Sequence, residues 1–286
     1  MQAIRVEPER AAMHDRECVT FLQWALPRLK RPWVGFRKVR HQLCRRIEQR
    51  CRALGLLDVA AYRDYLQHHP DEWPRLDALC PITISCFYRD TAMWGALAAE
   101  VLPALARRTS AHGAHVLHVA SIGCASGEEP YTLMLAWQFA VAPQFPALRL
   151  AVMATDVVEA VLERARIACY PASNLKLLPS AWREHGFERV GERWCLRARF
   201  RAGVTFLHHD LRTAWPEQEF DLILCRNLAF TYFDMPTQRA LLARLLAQLA
   251  PGGALVIGRR EQLPEGAAHL APWPNAERQG IFRYAA

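Results

Sequence analysis

The eleven residues Ser121–Tyr131 constrain the fold of this chain more than any other stretch. They connect an apolar, strand-like run that begins at Val116 to a helical run by way of two glycines. Gly123 and Gly127 allow the backbone to turn sharply and to approach a ligand without a clash from a Cβ atom. A buried strand, a glycine turn and a helix in this order are typical of an α/β sheet at the edge where it binds a nucleotide.

Two carboxylates that follow the second glycine indicate which ligand suits this turn. Glu128 and Glu129, with Pro130 after them, are also ordinary in the first turn of a helix, so a plain strand-turn-helix junction is the alternative. A full Gly-x-Gly-x-x-Gly is absent. Carboxylates would repel a diphosphate, whereas S-adenosylmethionine has no phosphate and carries an ammonium and a sulfonium group. The turn therefore favours S-adenosylmethionine over a dinucleotide.

A further acid stands at the end of the next apolar run. The run from Leu148 to Met153 predicts a strand, and it stops at Asp156, so a carboxylate lies at the carboxyl end of that strand. An Asp in this place accepts hydrogen bonds from both ribose hydroxyls. The alternative is an N-cap for the segment that begins near Val158. With the glycine turn about 30 residues upstream, roughly the spacing of a βαβ unit, ligand binding is favoured.

Three longer motifs resemble one known family, the CheR-type protein-glutamate O-methyltransferases of bacterial chemotaxis. Residues Ile84–Asp90 are similar to the family's Thr-x-Phe-Phe-Arg segment, and Gly127–Tyr131 matches its Gly-Glu-Glu-Pro-Tyr. Phe220–Asn227, followed by Tyr232–Asp234, resembles its Phe-Asp-x-Ile-x-Cys-Arg-Asn and Tyr-Phe-Asp signature. The resemblance covers nearly the whole chain, and three motifs in the right order are far more specific than one glycine turn.

Periodicity divides the chain into two parts of different character. The first part has helical periodicity, few glycines and many arginines, and the second alternates strand-like and helical runs. We expect an α/β protein with a small all-α N-terminal domain over residues 1–82 and a doubly wound parallel sheet over 83–286. The resemblance makes the second part a Rossmann-like class I methyltransferase domain. Residues 178–203 are expected to form a small β-subdomain, and 251–253 the turn between a helix and a strand.

Composition favours a cytoplasmic protein without membrane insertion, and we expect a monomer. No apolar stretch approaches about 18 residues, and residues 1–16 are too charged for a secretory signal.

The nine cysteines are odd in number, scattered and free of any Cys-x-x-Cys pair. This pattern argues against a disulfide framework and against a zinc site. No metal site is expected.

The stretch from Arg28 to Arg52 contains ten Lys or Arg residues and one acid, Glu48. A helix here would have one apolar and one basic side, and a solvated face is the usual explanation of a lone charged stripe. A positive ridge also attracts an acidic partner from a distance. A protein helix rich in glutamate is favoured over RNA or DNA, with Arg45, Arg46 and Arg52 in contact. In the resembled family the corresponding helix faces the receptor's methylation region.

The resemblance implies the roles of individual site residues. Arg89 and Tyr232 correspond to the family's active-site arginine and tyrosine, and the Tyr232 hydroxyl would orient a carboxylate oxygen. Without the resemblance, a surface pair of Arg89 with Asp90 and a Tyr232 half-buried among aromatic rings would be preferred. The implied cofactor-binding residues are Thr83, Ser85, Arg89, Gly123, Glu129, Asp156, Asp210, Leu211, Asn227 and Leu228.

Within this set, Glu129 would take the cofactor's ammonium group and Asp156 the ribose. Asp210 stands where the family commonly has Asn, and it still accepts a hydrogen bond from the adenine amino group. The chain departs from the family pattern mainly on the acceptor side. The segment from Asn227 to Tyr232 contains one residue more than the usual spacing, and residue 260 is Arg where Ser is usual.

The preferred hypothesis is an S-adenosylmethionine-dependent methyltransferase that acts on glutamates of a helical partner protein such as a chemoreceptor and releases S-adenosylhomocysteine. A glutamate is ionised at neutral pH, so it attacks the methyl carbon without a general base. One alternative is a methyltransferase for RNA or a small molecule, suggested by a pI near 9.2, although only Trp33 and Phe36 lie among the basic residues as stacking groups. The other is a non-catalytic cofactor-sensing module, suggested by the shifted Tyr232.

Overall fold

The computed structural model describes residues 15–215, 217–265 and 267–285. The chain divides into two compact units, one ending at Ile82 and the other beginning at Thr83. The helices of the first unit are α1 Asp15–Ala25, α2 Trp33–Phe36, α3 Arg40–Ala53, α4 Val59–His68 and α5 Glu72–Leu79. Those of the second unit are α6 Thr91–Ala96, α7 Leu102–Ala111, α8 Glu128–Ala136, α9 Glu159–Ile167, α10 Ser180–Gly186, α11 Ala198–Arg201, α12 Ala229–Tyr232 and α13 Met235–Ala247. None of the described helices is both long and apolar enough to cross a membrane.

The first unit packs around apolar residues spaced four apart on α3. Leu43, Ile47 and Cys51 are buried on one side of that helix, because residues four positions apart lie on the same face. A buried acid joins the later helices to it: Glu72 accepts two hydrogen bonds from Arg50, at 2.8 and 2.6 Å, and one from the Tyr62 hydroxyl at 2.8 Å. The helix α3, which carries the basic residues, is therefore packed into the core of the first unit through its apolar side.

The second unit is built on a seven-stranded, mostly parallel sheet. Its strands and those of a smaller sheet are β1 Val116–Ile122, β2 Arg149–Asp156, β3 Cys169–Pro171, β4 Phe187–Val190, β5 Arg193–Leu196, β6 Val204–His208, β7 Phe220–Cys225, β8 Leu249–Ile257, β9 Leu270–Pro272 and β10 Ile281–Tyr284. The large sheet has the order β6-β2-β1-β7-β8-β10-β9, with β10 antiparallel to both neighbours. From β1 the chain winds to β2 and β6 on one side and returns to β7 on the other. In open α/β sheets, ligands bind at such a switch point, beyond the carboxyl ends of the strands.

Both faces of the large sheet are covered by helices, as expected for parallel strands. Leu117 and Val119 of β1 pack in a core with Trp94 and Leu133 from the helices on one face. Ala120 and Ile122 pack in a second core with leucines of α13 on the other. The continuous apolar character of β1 in the sequence follows from this burial on two sides.

The segment Pro251-Gly252-Gly253 lies inside β8, so the prediction of a turn before that strand was wrong. Leu249 pairs with Phe220, and the register then shifts so that Ala254 pairs with Leu222. Gly252 has a φ of +73°. The two glycines therefore form an irregularity within the strand, where left-handed backbone geometry is needed, and local turn signals alone do not distinguish this from a turn.

The small sheet has the order β3-β5-β4, and its hairpin β4–β5 falls within the stretch 178–203 indicated by the sequence. Its third strand comes from Cys169–Pro171, upstream of that stretch. Cys169 pairs with Cys195 in register and forms a disulfide with it, and Cys18 is joined to Cys44 between α1 and α3. The prediction from cysteine spacing was therefore wrong, because each pair is 26 residues apart and is brought together by folding alone. The remaining five cysteines are free.

Candidate active site

The glycine turn after β1 is closed by backbone contacts with β2. The N–H groups of Gly123 and Cys124 donate to the Thr155 carbonyl, at 2.8 and 2.9 Å. Gly123 has a φ of +71°, and a Cβ atom added there would stand 2.7 Å from Cδ2 of Leu228. The turn thus needs glycine both for its backbone conformation and for the close approach of Leu228. Two residues expected at the cofactor are brought together here.

Asp156 fastens the same turn from the end of β2. Its Oδ2 accepts from the Ala125 N–H and its Oδ1 from the Val158 N–H, both at 3.0 Å. Burial raises the pKa of the carboxyl, and the surrounding backbone N–H groups partly offset this effect. The N-cap residue of α9 is Val158, and that helix has no side-chain cap, so Asp156 is not the N-cap considered as the alternative. An ionised carboxylate has about four acceptor sites, so two backbone bonds leave capacity for ribose hydroxyls.

The two acids at the start of α8 have different environments. Glu129 accepts from the Ser121 hydroxyl at 2.9 Å and from Nη1 of Arg226 at 2.8 Å. Glu128 is almost fully buried and accepts from Nδ2 of Asn174 at 2.9 Å. Burial raises the pKa of Glu128, and a hydrogen bond from Ser85 is among the effects that lower it. Ser85, expected at the cofactor, therefore lies beside Glu128, whose role sequence analysis missed.

The segment that carries Arg89 has an unusual backbone. Tyr88 and Asp90 have φ values of 57° and 63°, a left-handed conformation that costs roughly 1–2 kcal/mol for a residue with a Cβ atom. The Phe87 N–H donates to the Asn174 carbonyl at 3.0 Å, and the Tyr88 N–H donates to the Thr132 hydroxyl at 3.1 Å. These contacts hold the segment on its N-terminal side.

Arg226 contacts the other side of this segment. Its Nη2 donates to Oδ2 of Asp90 at 2.5 Å and to the Arg89 carbonyl at 3.2 Å. Asp90 is thus paired with Arg226, and the surface pair of Arg89 with Asp90 is not formed between these described residues. The Arg89 side chain is exposed, with Nη1 3.4 Å from the Ile84 carbonyl, and Thr83 is half-buried. Sequence analysis assigned no role to Arg226. A charged residue directly after the apolar strand β7 could have indicated a polar site at the end of that strand.

Tyr232 lies at the end of α12, which Glu261 fixes in place. The Glu261 carboxylate accepts from the N–H groups of Gly258, Asn227 and Leu228, at 2.6, 2.8 and 3.1 Å. It also accepts from the Thr231 hydroxyl at 2.6 Å. Thr231 belongs to the segment that is one residue longer than the family spacing, so the longer segment is anchored to the loop after β8. Burial raises the pKa of Glu261.

Arg89 and Tyr232, the two predicted catalytic residues, lie close enough to interact electrostatically. Tyr232 is half-buried, and burial is the main cause that raises the pKa of its hydroxyl. The positive charge of Arg89 acts in the opposite direction. The structure therefore brings together a guanidinium and a protonated phenol from segments more than a hundred residues apart.

Asp210 forms a close ion pair within its own turn. Its two oxygens accept from Nε and Nη2 of Arg212, at 3.0 and 2.6 Å, and Oδ1 also accepts from the Arg212 N–H at 2.9 Å. The next residue, Leu211, is buried. A hydrogen bond from an adenine amino group would therefore use the acceptor capacity that Arg212 leaves on Asp210.

In the first unit, the three arginines predicted to contact a partner have different surroundings. Arg45 and Arg52 are exposed, and Arg52 pairs with Glu48 at 2.7 Å. Arg46 is half-buried and donates to the Leu79 carbonyl at 2.8 Å, and burial lowers its pKa. Arg46 thus has a structural partner within the unit, whereas Arg45 and Arg52 present charge to solvent.

Comparison with known proteins identifies the family. Residues 84–276 match the model of the CheR methyltransferase, SAM binding domain, and residues 38–77 match that of the CheR methyltransferase, all-alpha domain. The chain belongs to the CheR methyltransferase family. This confirms the resemblance, the all-α domain before an α/β domain, and S-adenosylmethionine as the cofactor. The residues at the turn agree with that cofactor, since the acids Glu129 and Asp156 stand beside it and carry no positive charge that would repel an ammonium or a sulfonium group.

Named relatives of this CheR methyltransferase include chemotaxis enzymes. It is 31% identical to a chemotaxis protein methyltransferase of Listeria monocytogenes, over 71% of this chain and 75% of that protein. It is 31% identical to chemotaxis protein methyltransferase 2 of Pseudomonas aeruginosa, over 79% of each. It is also 30% identical to the probable biofilm formation methyltransferase WspC of P. aeruginosa, over 76% of this chain and 50% of that protein.

Proposed function

We propose that this CheR methyltransferase transfers a methyl group to glutamate side-chain carboxylates of a partner protein such as a chemoreceptor. The observation that carries the proposal is the proximity of the exposed Arg89 to the half-buried Tyr232, in the unit that also holds the glycine turn. A guanidinium and a phenol are suited to orienting a carboxylate. The names of the relatives from Listeria and Pseudomonas support a chemotaxis substrate.

The reaction requires positioning more than acid–base chemistry. S-adenosylmethionine supplies the electrophilic methyl group when it is bound. A glutamate carboxylate is already ionised at neutral pH, so its oxygen needs alignment and exclusion of water, and holding the reacting groups near contact accounts for much of such a rate enhancement. Because the pKa of Tyr232 is raised, its hydroxyl stays protonated and donates to one carboxylate oxygen.

Arg89 attracts the incoming carboxylate without holding it too firmly. Charge is neutralised in this displacement, so a tight ion pair would stabilise the ground state more than the transition state. The exposure of the Arg89 guanidinium reduces the strength of such a pair. On the cofactor side, Glu129 would hold the ammonium group, Asp156 the ribose and Asp210 the adenine amino group. The other implied residues would line the same pocket.

The basic helix of the first unit is proposed as a surface that binds the partner protein. The exposed Arg45 and Arg52 on α3 attract an acidic helix of the partner protein. Arg46 stabilises α3 itself through its hydrogen bond to the Leu79 carbonyl. A monomeric state and a cytoplasmic location belong to the same proposal, and in that compartment cellular reductants would oppose the two disulfides, which form in the purified, oxidised protein. Nucleic acid is the less favoured partner, because few aromatic side chains accompany the basic residues.

The test is methyl transfer from labelled S-adenosylmethionine to purified cytoplasmic fragments of chemoreceptors. Methyl esters release methanol in mild base, so base-labile label on glutamate supports the proposal. Tyr232→Phe should reduce the label strongly, and Tyr284→Phe, at the end of strand β10, serves as the matched control. Base-stable label on nitrogen or carbon, or label on RNA alone, would show that the acceptor belongs to a different class.

A further inference from the structure

We propose that Arg226 is a positioning residue that ties the segment of Arg89 to the cofactor-binding Glu129. The inference rests on the proposed function, because it takes Arg89 as the residue that meets the methyl acceptor. One guanidinium contacts both regions: Nη1 lies 2.8 Å from Oε2 of Glu129, and Nη2 lies 2.5 Å from Oδ2 of Asp90. Among the described residues, no other ion pair joins the start of α8 to this segment.

Burial makes the contact between Arg226 and Glu129 stronger than an ordinary surface pair, whereas the Asp90 side chain on the other contact is 33% exposed. The Arg226 side chain is 5% exposed, and that of Glu129 is 13% exposed. The guanidinium carbon also lies 5.8 Å from the centre of the Trp94 ring. Charged hydrogen bonds at such buried sites are screened little by solvent. The planar fork of Arg donates in two directions at once, which the single ammonium of Lys does not reproduce.

The geometry of the Arg89 segment explains why a second anchor is needed. Its N-terminal side is held by the bonds from Phe87 and Tyr88, described above, before the chain reaches Arg89. Its C-terminal side contains Asp90, which is left-handed like Tyr88 two residues earlier, and the cost of the Tyr88 conformation requires support from surrounding contacts. Arg226 supplies such contacts through the Asp90 carboxylate and the Arg89 carbonyl. The backbone of Arg89 thus lies between two fixed points.

This arrangement links the two halves of the site through one side chain. Glu129 accepts from Arg226 and would also hold the cofactor's ammonium group, while the same Arg226 contacts the backbone from which Arg89 extends. Cofactor binding and placement of the acceptor-binding guanidinium therefore depend on a common group. Replacing the Arg226 guanidinium should disturb the position of Arg89 more than it weakens cofactor binding. Glu129 would still be held by its hydrogen bond from the Ser121 hydroxyl.

The experiment compares Arg226→Lys, Asp90→Asn and the double variant, with Arg166→Lys on α9 as a matched control in an exposed ion pair. Amide hydrogen exchange of peptides covering residues 84–96 is measured with and without S-adenosylhomocysteine. The affinity for S-adenosylhomocysteine is measured by calorimetry, and kcat and KM with chemoreceptor fragments. The stability of each variant is compared with that of the wild-type protein by thermal melting.

Arg226→Lys should accelerate exchange in residues 84–96 and lower kcat about tenfold or more, the effect expected for losing a charged hydrogen bond. The affinity for S-adenosylhomocysteine should change by less than about threefold. Because Asp90 and Arg226 act through one contact, the double variant should lose little beyond the single variants. Arg166→Lys should change none of these quantities.

Unchanged exchange in residues 84–96 of Arg226→Lys would overturn the inference, and so would a loss of kcat that merely follows a loss of cofactor affinity or of melting temperature. Failure of the proposed function is distinguishable. If the wild-type protein methylates no receptor fragment, the exchange and calorimetry measurements still decide whether Arg226 holds the segment. If the wild-type protein is active and Arg226→Lys matches it, the inference alone fails.

Discussion

Asp156 accepts a hydrogen bond from the backbone N–H of Ala125, 31 residues earlier in the chain, at 3.0 Å. One carboxylate thereby joins the end of β2 to the turn after β1, the strand at which the order of the sheet reverses. Ala125 itself has a φ of 49°, so the bond supports a left-handed residue in the turn. The proposed ribose contact would be added to an acid that already organises the site.

Replacing Asp156 should weaken cofactor binding. Asp156→Ala removes the acceptor for ribose hydroxyls and the support of the turn, and we expect a loss of roughly 1.5–3 kcal/mol in binding S-adenosylhomocysteine. Calorimetry measures this change, with Glu163→Gln on the exposed side of α9 as control. If affinity is unchanged while melting temperature falls, Asp156 only supports the turn through its bonds to Ala125 and Val158.

Arg89→Ala should impair turnover and leave cofactor affinity nearly intact. The expected fall in kcat/KM is roughly ten- to a hundredfold, corresponding to one lost charged interaction. Steady-state kinetics with a receptor fragment and calorimetry with S-adenosylhomocysteine separate the two effects. Arg278→Ala, in another surface segment, is the control. A collapse of affinity would instead place Arg89 in the cofactor pocket or the fold.

Glu261→Gln should loosen the loop that carries Tyr232. The carboxylate accepts from three backbone N–H groups and the Thr231 hydroxyl, whereas an amide offers one oxygen and its NH2 group is itself a donor. Unpaired buried donors cost about 1–3 kcal/mol. Thermal melting should show a lower midpoint, and Glu265→Gln, with a side chain 94% exposed, should not change it. An unaltered midpoint for Glu261→Gln would contradict this role.

Glu128→Gln should change how stability depends on pH. Because burial raises the pKa of Glu128 in the folded chain, the folded state binds more protons than the unfolded state at pH values above the ordinary glutamate pKa. The stability from this group is thus full below that ordinary value and is lost as pH rises through the folded pKa. Gln keeps an acceptor for Asn174 and does not titrate.

The melting temperature of Glu128→Gln relative to wild type should therefore rise between about pH 4 and pH 8. Calorimetric scans of both proteins across this interval measure the difference, and Glu163→Gln supplies the baseline for removing an exposed acid. A difference that is constant or falls with pH would show that the buried carboxyl does not carry the expected shift.

Reduction of the disulfides should lower stability. Each of the bonds Cys18–Cys44 and Cys169–Cys195 closes a loop of 26 residues, for which chain entropy gives roughly 3 kcal/mol. Alkylation of the denatured protein without reductant should modify five thiols, and after reduction all nine. Nine reactive thiols before reduction would contradict the pairing.

The sequence predicted the fold class, the glycine turn and the cofactor because these depend on local patterns. The run from Val116 is apolar because β1 is buried on both faces, and Gly123 is required by its own backbone angle. The motif from Gly127 to Tyr131 is continuous, so it remains recognisable in a divergent chain. The position of Asp156 at the end of its strand followed from the same periodicity.

Only the tertiary structure revealed what Arg226, Glu261 and the paired cysteines do. Arg226 meets Glu129 across 97 residues and Asp90 across 136, and the contacts of Glu261 reach back 34 residues to Asn227. A charged side chain at the end of a strand has the same local pattern whether it faces water or a buried carboxylate. Its partner is decided by which distant segments the sheet order brings to the same edge, and spacing along the chain does not encode that order.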